Sequence, residues 1–174
     1  EFDAYGQLVF AVMEYYRFTG DKAFLEEMRP AVRKTVAYLE HLRSSRLTDE
    51  YRTADRRACY GLLPESMSHE GYMAHPVHAY WDDFWAIRGL ADAAWLESEL
   101  GNAAEASRLA ALHDALSQDV RAALSATIGR HSIDFVPGSV EFADFDPTAT
   151  SNAIGLLDLL HLMPPAETHN TFDK

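Results

Sequence analysis

Acidic and aromatic side chains crowd into a few short stretches of this chain. In "HPVHAYWDDFWAIRGL", His75 to Leu90, the adjacent carboxylates Asp82 and Asp83 stand between Trp81 and the pair Phe84 and Trp85. His75, His78 and Tyr80 come just before them. "GLLPESMSHEGY" carries Glu65, His69, Glu70 and Tyr72, and "FDAY" sets Asp3 beside Tyr5. An ionised carboxylate only accepts hydrogen bonds, and its two oxygens can take two hydroxyls in a fork. The C–H face of a pyranose packs well on an indole. Carboxylates set among such rings therefore suit carbohydrate. Cleaving a glycosidic bond asks further for two carboxyls in different protonation states, one on the leaving oxygen and one on the other face of the ring.

Position relative to helix starts sorts the roles. A carboxylate at a helix N-terminus is stabilised as the anion by the dipole and the free N–H groups. Asp3, Asp82, Asp83 and Asp146 all fall at predicted helix starts, so lowered pKa values are expected and they suit holding hydroxyls or acting as a base. A general acid must keep its proton and belongs off a helix start, among apolar or like-charged neighbours. Glu65 and Glu70 fit that better, with Glu70 favoured because it lies nearer the aromatic cluster in sequence. Each assignment has a plainer competitor. Asp146 before Pro147 is a common helix cap, Asp3 is also an ordinary first-turn charge, and Trp81, Phe84 and Trp85 share one helical face that suits core packing. Asp82 and Asp83 turn away from that face and need a donor, for which Arg88 is available.

Other chemistries find less support. His69, His75 and His78 with Glu70 offer nitrogen and oxygen ligands, but their spacing matches no zinc pattern and there is no HExxH, so no metal is assigned. Cys59 lies beside Arg56 and Arg57, which would lower its pKa, yet no partner base can be inferred for it. No phosphate-cradling glycine loop is present, and no cofactor is implied. The 174 residues carry a net charge of −12, which argues against a nucleic-acid partner. No apolar run approaches the roughly 20 residues that cross a bilayer, so no membrane span is assigned. One cysteine allows no internal disulfide. The sequence opens at Glu1 without an initiator methionine, and we read it as a single segment, residues 1–174, of a longer polypeptide.

The elements that must position these residues are helices. Tyr5, Leu8, Val9, Val12, Met13 and Tyr16 make one apolar face at helical spacing. Gly20 ends this helix and Asp21 is placed to cap the next. A short helix through Phe24 and Met28 then meets Pro30, where a new helix is expected to start and run to about Arg43. Residues 44–79 read as a long loop, and loops of that length are often functional. Helices are predicted over 81–100, closed by Gly101 with Asn102 as cap, and over 103–128. A short β-like stretch, "HSIDFVPGSVEF", precedes a last helix opened by Asp146 and Pro147. "YYRFTGDKAFLEEM" and "WLESELGNAAEASRL" share one logic of helix, glycine stop, cap and helix, a loose helical-hairpin repeat. In an up-down array the first, third and fifth helices point the same way. Their N-termini, and the acids there, would gather at one rim together with the long loop.

"FDAYGQLVFAVMEYYRFTGDKAFLEEM", "GLLPESMSHEGY" and "YWDDFWAIRGLADAA" resemble the helical hairpins of six-hairpin glycosidases, the (α/α)6-toroid superfamily of glucoamylase-like and trehalase-like enzymes. The likeness rests on the D-x-Y-G opening, the T-G-D-x-x-F-L turn and a W-D-x-[FY]-W stretch. It implies an all-α fold, an incomplete toroid of about five or six helices out of twelve, with the remainder of the parent barrel as a partner. It implies that Trp81 and Asp82 bind substrate, with Phe84 and Trp85 matching the aromatic end of the motif. "FADFDPTAT" is similar to an acid-bearing loop of the group, making Asp144 or Asp146 a rival to Glu70 as general acid. The expectation is a glycoside hydrolase acting on a carbohydrate substrate, inverting if its carboxyls stand roughly 6.5–9.5 Å apart. The expected catalytic groups are Glu70, Asp83 and Asp144, and the expected substrate-binding groups are Asp3, Tyr5, Glu65, Tyr72, His78, Tyr80, Trp81, Asp82 and Trp85. Two alternatives are a polysaccharide lyase, with Tyr72, His75, Tyr80 and Arg88 as candidates, and a helical-repeat binding module without chemistry.

Overall fold

The computed structural model describes residues 1–67 and 74–174. They form an all-α fold of six α-helices, α1 (Asp3–Thr19), α2 (Lys22–Ser44), α3 (Tyr80–Glu99), α4 (Ala103–His131), α5 (Pro147–Gly155) and α6 (Pro165–Asp173). Among the described residues no helix is long and apolar enough to cross a membrane.

The two glycine stops behave as their chemistry requires. Gly20 and Gly101 sit at φ 67° and 77°, a left-handed region open to glycine at little cost. Asp21 caps α2 by accepting the Phe24 N–H at 3.1 Å. Asn102 does not cap with its side chain, which instead donates to Glu97 on α3 at 3.0 Å. Pro30 does not start a helix. It lies inside the continuous α2, on its exposed side. Proline in a helix interior costs about 3 kcal/mol. The stripe Leu25, Val32, Val36, Leu39 and Leu42, all buried across that point, contributes roughly 1.5–3 kcal/mol per side chain and outweighs it. The β-like stretch forms only isolated bridges, Ala79 with Ser139 and Pro137 with Phe145. The last predicted helix stops at Gly155, and α6 was not foreseen by periodicity.

The helices pack as three hairpins. At one end of α3, the Phe2 and Asp3 amides reach Asp82; at the other, the Tyr16 hydroxyl donates to Glu99 at 2.7 Å. So α1 and α3 run parallel. Arg88 Nη1 donates to the Leu157 carbonyl at 3.2 Å, and Tyr80 N–H donates to the Gly138 carbonyl at 3.0 Å. The loop before α5 therefore lies at the start of α3, and α5 runs the same way. Helices α2, α4 and α6 return antiparallel. The odd-numbered helices thus begin at one common rim.

Helix α3 lies at the centre, touched by α1, α2, α4 and α5. It is buried on nearly every side, from Asp82 through Ile87 without a break and on to Leu96 and Glu97. Helix α1 crosses it at a point where both have glycine. A Cβ on Gly6 would stand 2.0 Å from the Trp85 carbonyl oxygen, and one on Gly89 would stand 2.8 Å from the Gly6 Cα. The D-x-Y-G opening needs its glycine for this close approach of two backbones.

Candidate functional site

The rim is joined by Asp82. Phe2, the N-cap of α1, makes no side-chain cap. Instead Asp82 Oδ1 accepts the Phe2 and Asp3 N–H groups at 2.9 and 3.0 Å, and Oδ2 accepts the Ser66 hydroxyl at 2.6 Å. A carboxylate from α3 therefore caps α1 and ties down the loop before α3 in one step. Asp82 is 1 % exposed. Burial pushes its pKa up, against the Ser66 and Phe2 hydrogen bonds, which hold it down. The expected lowering by a helix N-terminus is corrected here: desolvation outweighs the dipole because α1 and the loop cover the helix start.

Asp83 is deeper still. It takes the Leu63 N–H at 2.9 Å, while its Oδ2 has no partner among the described residues. Burial pushes its pKa well above the ordinary carboxylate range. Tyr80 is buried completely, its hydroxyl 2.8 Å from that of Thr127, and Trp85 packs edge-on to Phe10 and Trp81. Asp83, Tyr80 and Trp85 therefore lie in the core and not at the mouth, since the neighbouring elements cover α3 everywhere in this turn except at Trp81. Nor does Arg88 serve the aspartate pair; its Nε donates to Asp92 at 3.0 Å.

The accessible side of the rim carries other candidates. Asp3 Oδ2 accepts the Trp81 indole N–H at 2.9 Å and the Gln7 amide at 2.7 Å, fixing the ring of a half-exposed tryptophan beside a half-exposed carboxylate. Tyr5 packs on Tyr38 with ring centroids 4.8 Å apart. Asp144, in the loop before α5, accepts the Ser139 hydroxyl at 2.6 Å. Asp146 caps α5 through the Ala149 N–H at 2.9 Å. Glu70 and Tyr72, like His69, lie outside the described residues.

Beside this group opens a cavity of about 430 Å³, lined by Tyr51, Cys59, Glu65, His78, Arg130 and Glu141 among others. His78 is buried, and its Nδ1 lies 2.6 Å from Glu141 Oε1 while its backbone N–H donates to Oε2 at 2.8 Å. Its Nε2 accepts from Arg46 Nε at 3.3 Å and stands 3.8 Å from Glu65 Oε2. Arg46 also pairs with Glu65 directly. Partial burial would raise the Glu65 carboxyl, but its own backbone amide and Arg46 outweigh it and hold the pKa below the usual range. This reverses the sequence expectation of a raised pKa. Glu141 is likewise raised by burial and pulled down further by His78. The Cys59 thiol is pushed up to about 12, chiefly by burial, and Arg46 and Arg130 offset little of it; the expected activation by neighbouring arginines does not occur. Glu141 was missed in the sequence. It sits in "SVEF", far from every other candidate along the chain, and only the bridge between Ala79 and Ser139 brings it to His78.

No family model matches the chain, and no curated protein or solved structure is significantly similar to it.

Proposed function

We propose that the chain forms the carbohydrate-binding rim of a glycoside hydrolase, with its three hairpins as half of an (α/α)6 ring. The observation that carries this reading is the common start of α1, α3 and α5. It brings Asp3 against Trp81, Glu65 and Glu141 against His78, and Asp144 against Ser139, from separate stretches of the polypeptide, to one end of the bundle. In this reading Trp81 takes the C–H face of a sugar and Asp3, whose position Asp82 fixes, takes its hydroxyls. Glu65, held ionised by Arg46, suits the base that activates water, and Glu70 keeps the role of acid. Asp82 and Asp83 support the rim from beneath and do not touch substrate.

Turnover of disaccharides and aryl glycosides by the full parent chain tests this, with Glu70→Gln, Glu65→Gln and Asp3→Asn beside it. Glu70→Gln should lose about 10²–10⁴-fold in kcat on a disaccharide. It should lose much less on an aryl glycoside, whose leaving group needs no proton. Asp3→Asn should act mainly on KM. Turnover unchanged in all three variants removes the proposal.

A further inference from the structure

We infer that Cys59, His78 and Glu141 form a binding site for a divalent transition-metal ion of the Zn²⁺ class. One ligand atom from each, the thiol sulfur, a ring nitrogen and a carboxylate oxygen, lie within 4.8 Å of one another. They come from three separate segments: the 3-10 turn Arg57–Cys59, the residues leading into α3, and the loop before α5. Sequence spacing therefore could not reveal them. The carbohydrate reading is not needed for this inference.

The donor set suits the ion. The ion displaces the Cys59 thiol proton to water, against the burial that holds it there. One thiolate, one imidazole and one carboxylate then match the borderline-soft preference of Zn²⁺, and three protein ligands leave a fourth position open. The cavity supplies room for that position, and His131 lines it as well. Tetrahedral bonds of about 2.0–2.3 Å place neighbouring ligand atoms roughly 3.2–3.8 Å apart. The nitrogen and oxygen, now 2.6 Å apart at His78 and Glu141, must part a little, and the sulfur must close in by no more than about 1–1.5 Å. Glu141 is part-exposed on a loop and can give way. A metal at Nδ1 takes the place of the proton shared with Glu141, and the ring then carries its proton on Nε2, so the Arg46 Nε–H that now donates there at 3.3 Å must turn away. Glu65, 3.8 Å from Nε2, is the carboxylate that would accept it, the outer-shell arrangement common to metal-bound histidine.

The opposing charges are also plain. Arg46 pairs with Glu65, and Arg56 with Glu50. Arg130 donates to the Asp55 carbonyl and has no carboxylate partner among the described residues. It is the cation that should weaken the site.

The test is titration of the tag-free, chelator-treated full chain with Co²⁺ and then Zn²⁺. We expect one Co²⁺ per chain, with a thiolate-to-cobalt charge-transfer band that Zn²⁺ abolishes. Cys59→Ser should remove the band, and Glu141→Gln should weaken Zn²⁺ at least tenfold, both with unchanged helical circular dichroism. Arg130→Ala should tighten binding severalfold. No charge-transfer band at a tenfold excess of Co²⁺, or equal Zn²⁺ affinity in Glu141→Gln and the parent, overturns the inference.

Discussion

Replacing Gly6 by alanine tests whether the rim depends on the close crossing of α1 and α3. The added methyl would lie 2.0 Å from the Trp85 carbonyl oxygen and 2.4 Å from its carbon. Ordinary C···O contacts start near about 3.3 Å, so α1 must withdraw by roughly 1 Å or more. The obstacle is backbone of a buried helix, which cannot swing aside as a side-chain tip would. Overpacking typically costs about 1–3 kcal/mol, and rigid surroundings put Gly6→Ala at the upper end. A gap of that size between α1 and α3 also forfeits a quarter to a half of each dispersion contact across it. Val9, Val12 and Met13 lie there. The Phe2 and Asp3 amides, 2.9 and 3.0 Å from Asp82, would be pulled away with the helix. Hydrogen bonds to a charged acceptor are worth about 1.5–3 kcal/mol each.

The expected total is about 3–5 kcal/mol, a fall in melting temperature on the order of 10 °C for a chain of this size. Urea unfolding followed by helical circular dichroism gives the free energy. Gly129→Ala is the control. Gly129 is exposed inside α4, and a Cβ there meets nothing within 4 Å. That substitution should gain about 0.5–1 kcal/mol from helix propensity. A loss below about 1 kcal/mol for Gly6→Ala, or a shift equal to the control, refutes the crossing as the element that holds the rim.

Three further outcomes can be measured on the same protein. Glu97, 1 % exposed and hydrogen-bonded by Arg29, Arg33 and Asn102, is raised by burial but pulled by these donors to a pKa of about 2. Its contribution is therefore complete above pH ~4.5 and lost as pH falls toward ~2. Because both arginines are part-exposed, we expect about 1–2 kcal/mol, and Glu97→Gln should flatten that acid limb in urea titrations. Asp83 has the opposite sign: burial raises its pKa, so stability is complete below pH ~4 and declines as pH rises. Asp83→Asn should lose less stability than the parent between pH 4 and pH 7, and an equal loss would show that Asp83 does not titrate as described. Asp146→Ala removes the N-cap of α5 and should cost about 1 kcal/mol by the same unfolding assay.

How far the sequence could be read follows from what sets each element. Helices α1 and α3 were legible to within a few residues because Gly20 and Gly101 stop them by backbone conformation, a local cause, and the start of α4 follows from the second stop. The gathering of odd-helix starts was legible because it follows from alternation alone. Pro30 misled because a local penalty was overruled by apolar contacts along the whole of α2. The burial of Asp82 and Asp83 was hidden for a different reason. A helix with one wet face keeps its N-terminal carboxylates solvated, but α3 is apolar on nearly all sides. "FWAIRGLADAAWL" shows that breadth, and it was a usable sign of a central helix. Glu65 and Glu141 take their protonation from Arg46 and His78, which are neighbours only after the loops fold. No spacing rule reaches such pairs.

Burial pushes the Asp82 carboxyl up, and what surrounds it pulls the other way. Its described hydrogen-bond partners are two backbone N–H groups and the Ser66 hydroxyl. An ionised carboxylate can accept all three. A protonated one would have to carry its hydrogen on Oδ2 and give it to the Ser66 oxygen, because the Phe2 and Asp3 amides cannot accept, and it would hold those two amides less strongly. These three donors favour the anion, although desolvation raises the cost of keeping it. That cost is met by coupling: the same charge caps α1, holds Ser66 and sets Asp3 at 2.9 Å from the Trp81 indole. An asparagine at position 82 could keep its oxygen on the two amides and donate its N–H₂ to the Ser66 oxygen, but it would lose the charge that strengthens these bonds. The paired aspartates of the W-D-D stretch therefore serve first as a joint between helices. The part of the rim that a solute can meet, Asp3 with Trp81, owes its geometry to a carboxyl group the solute never touches.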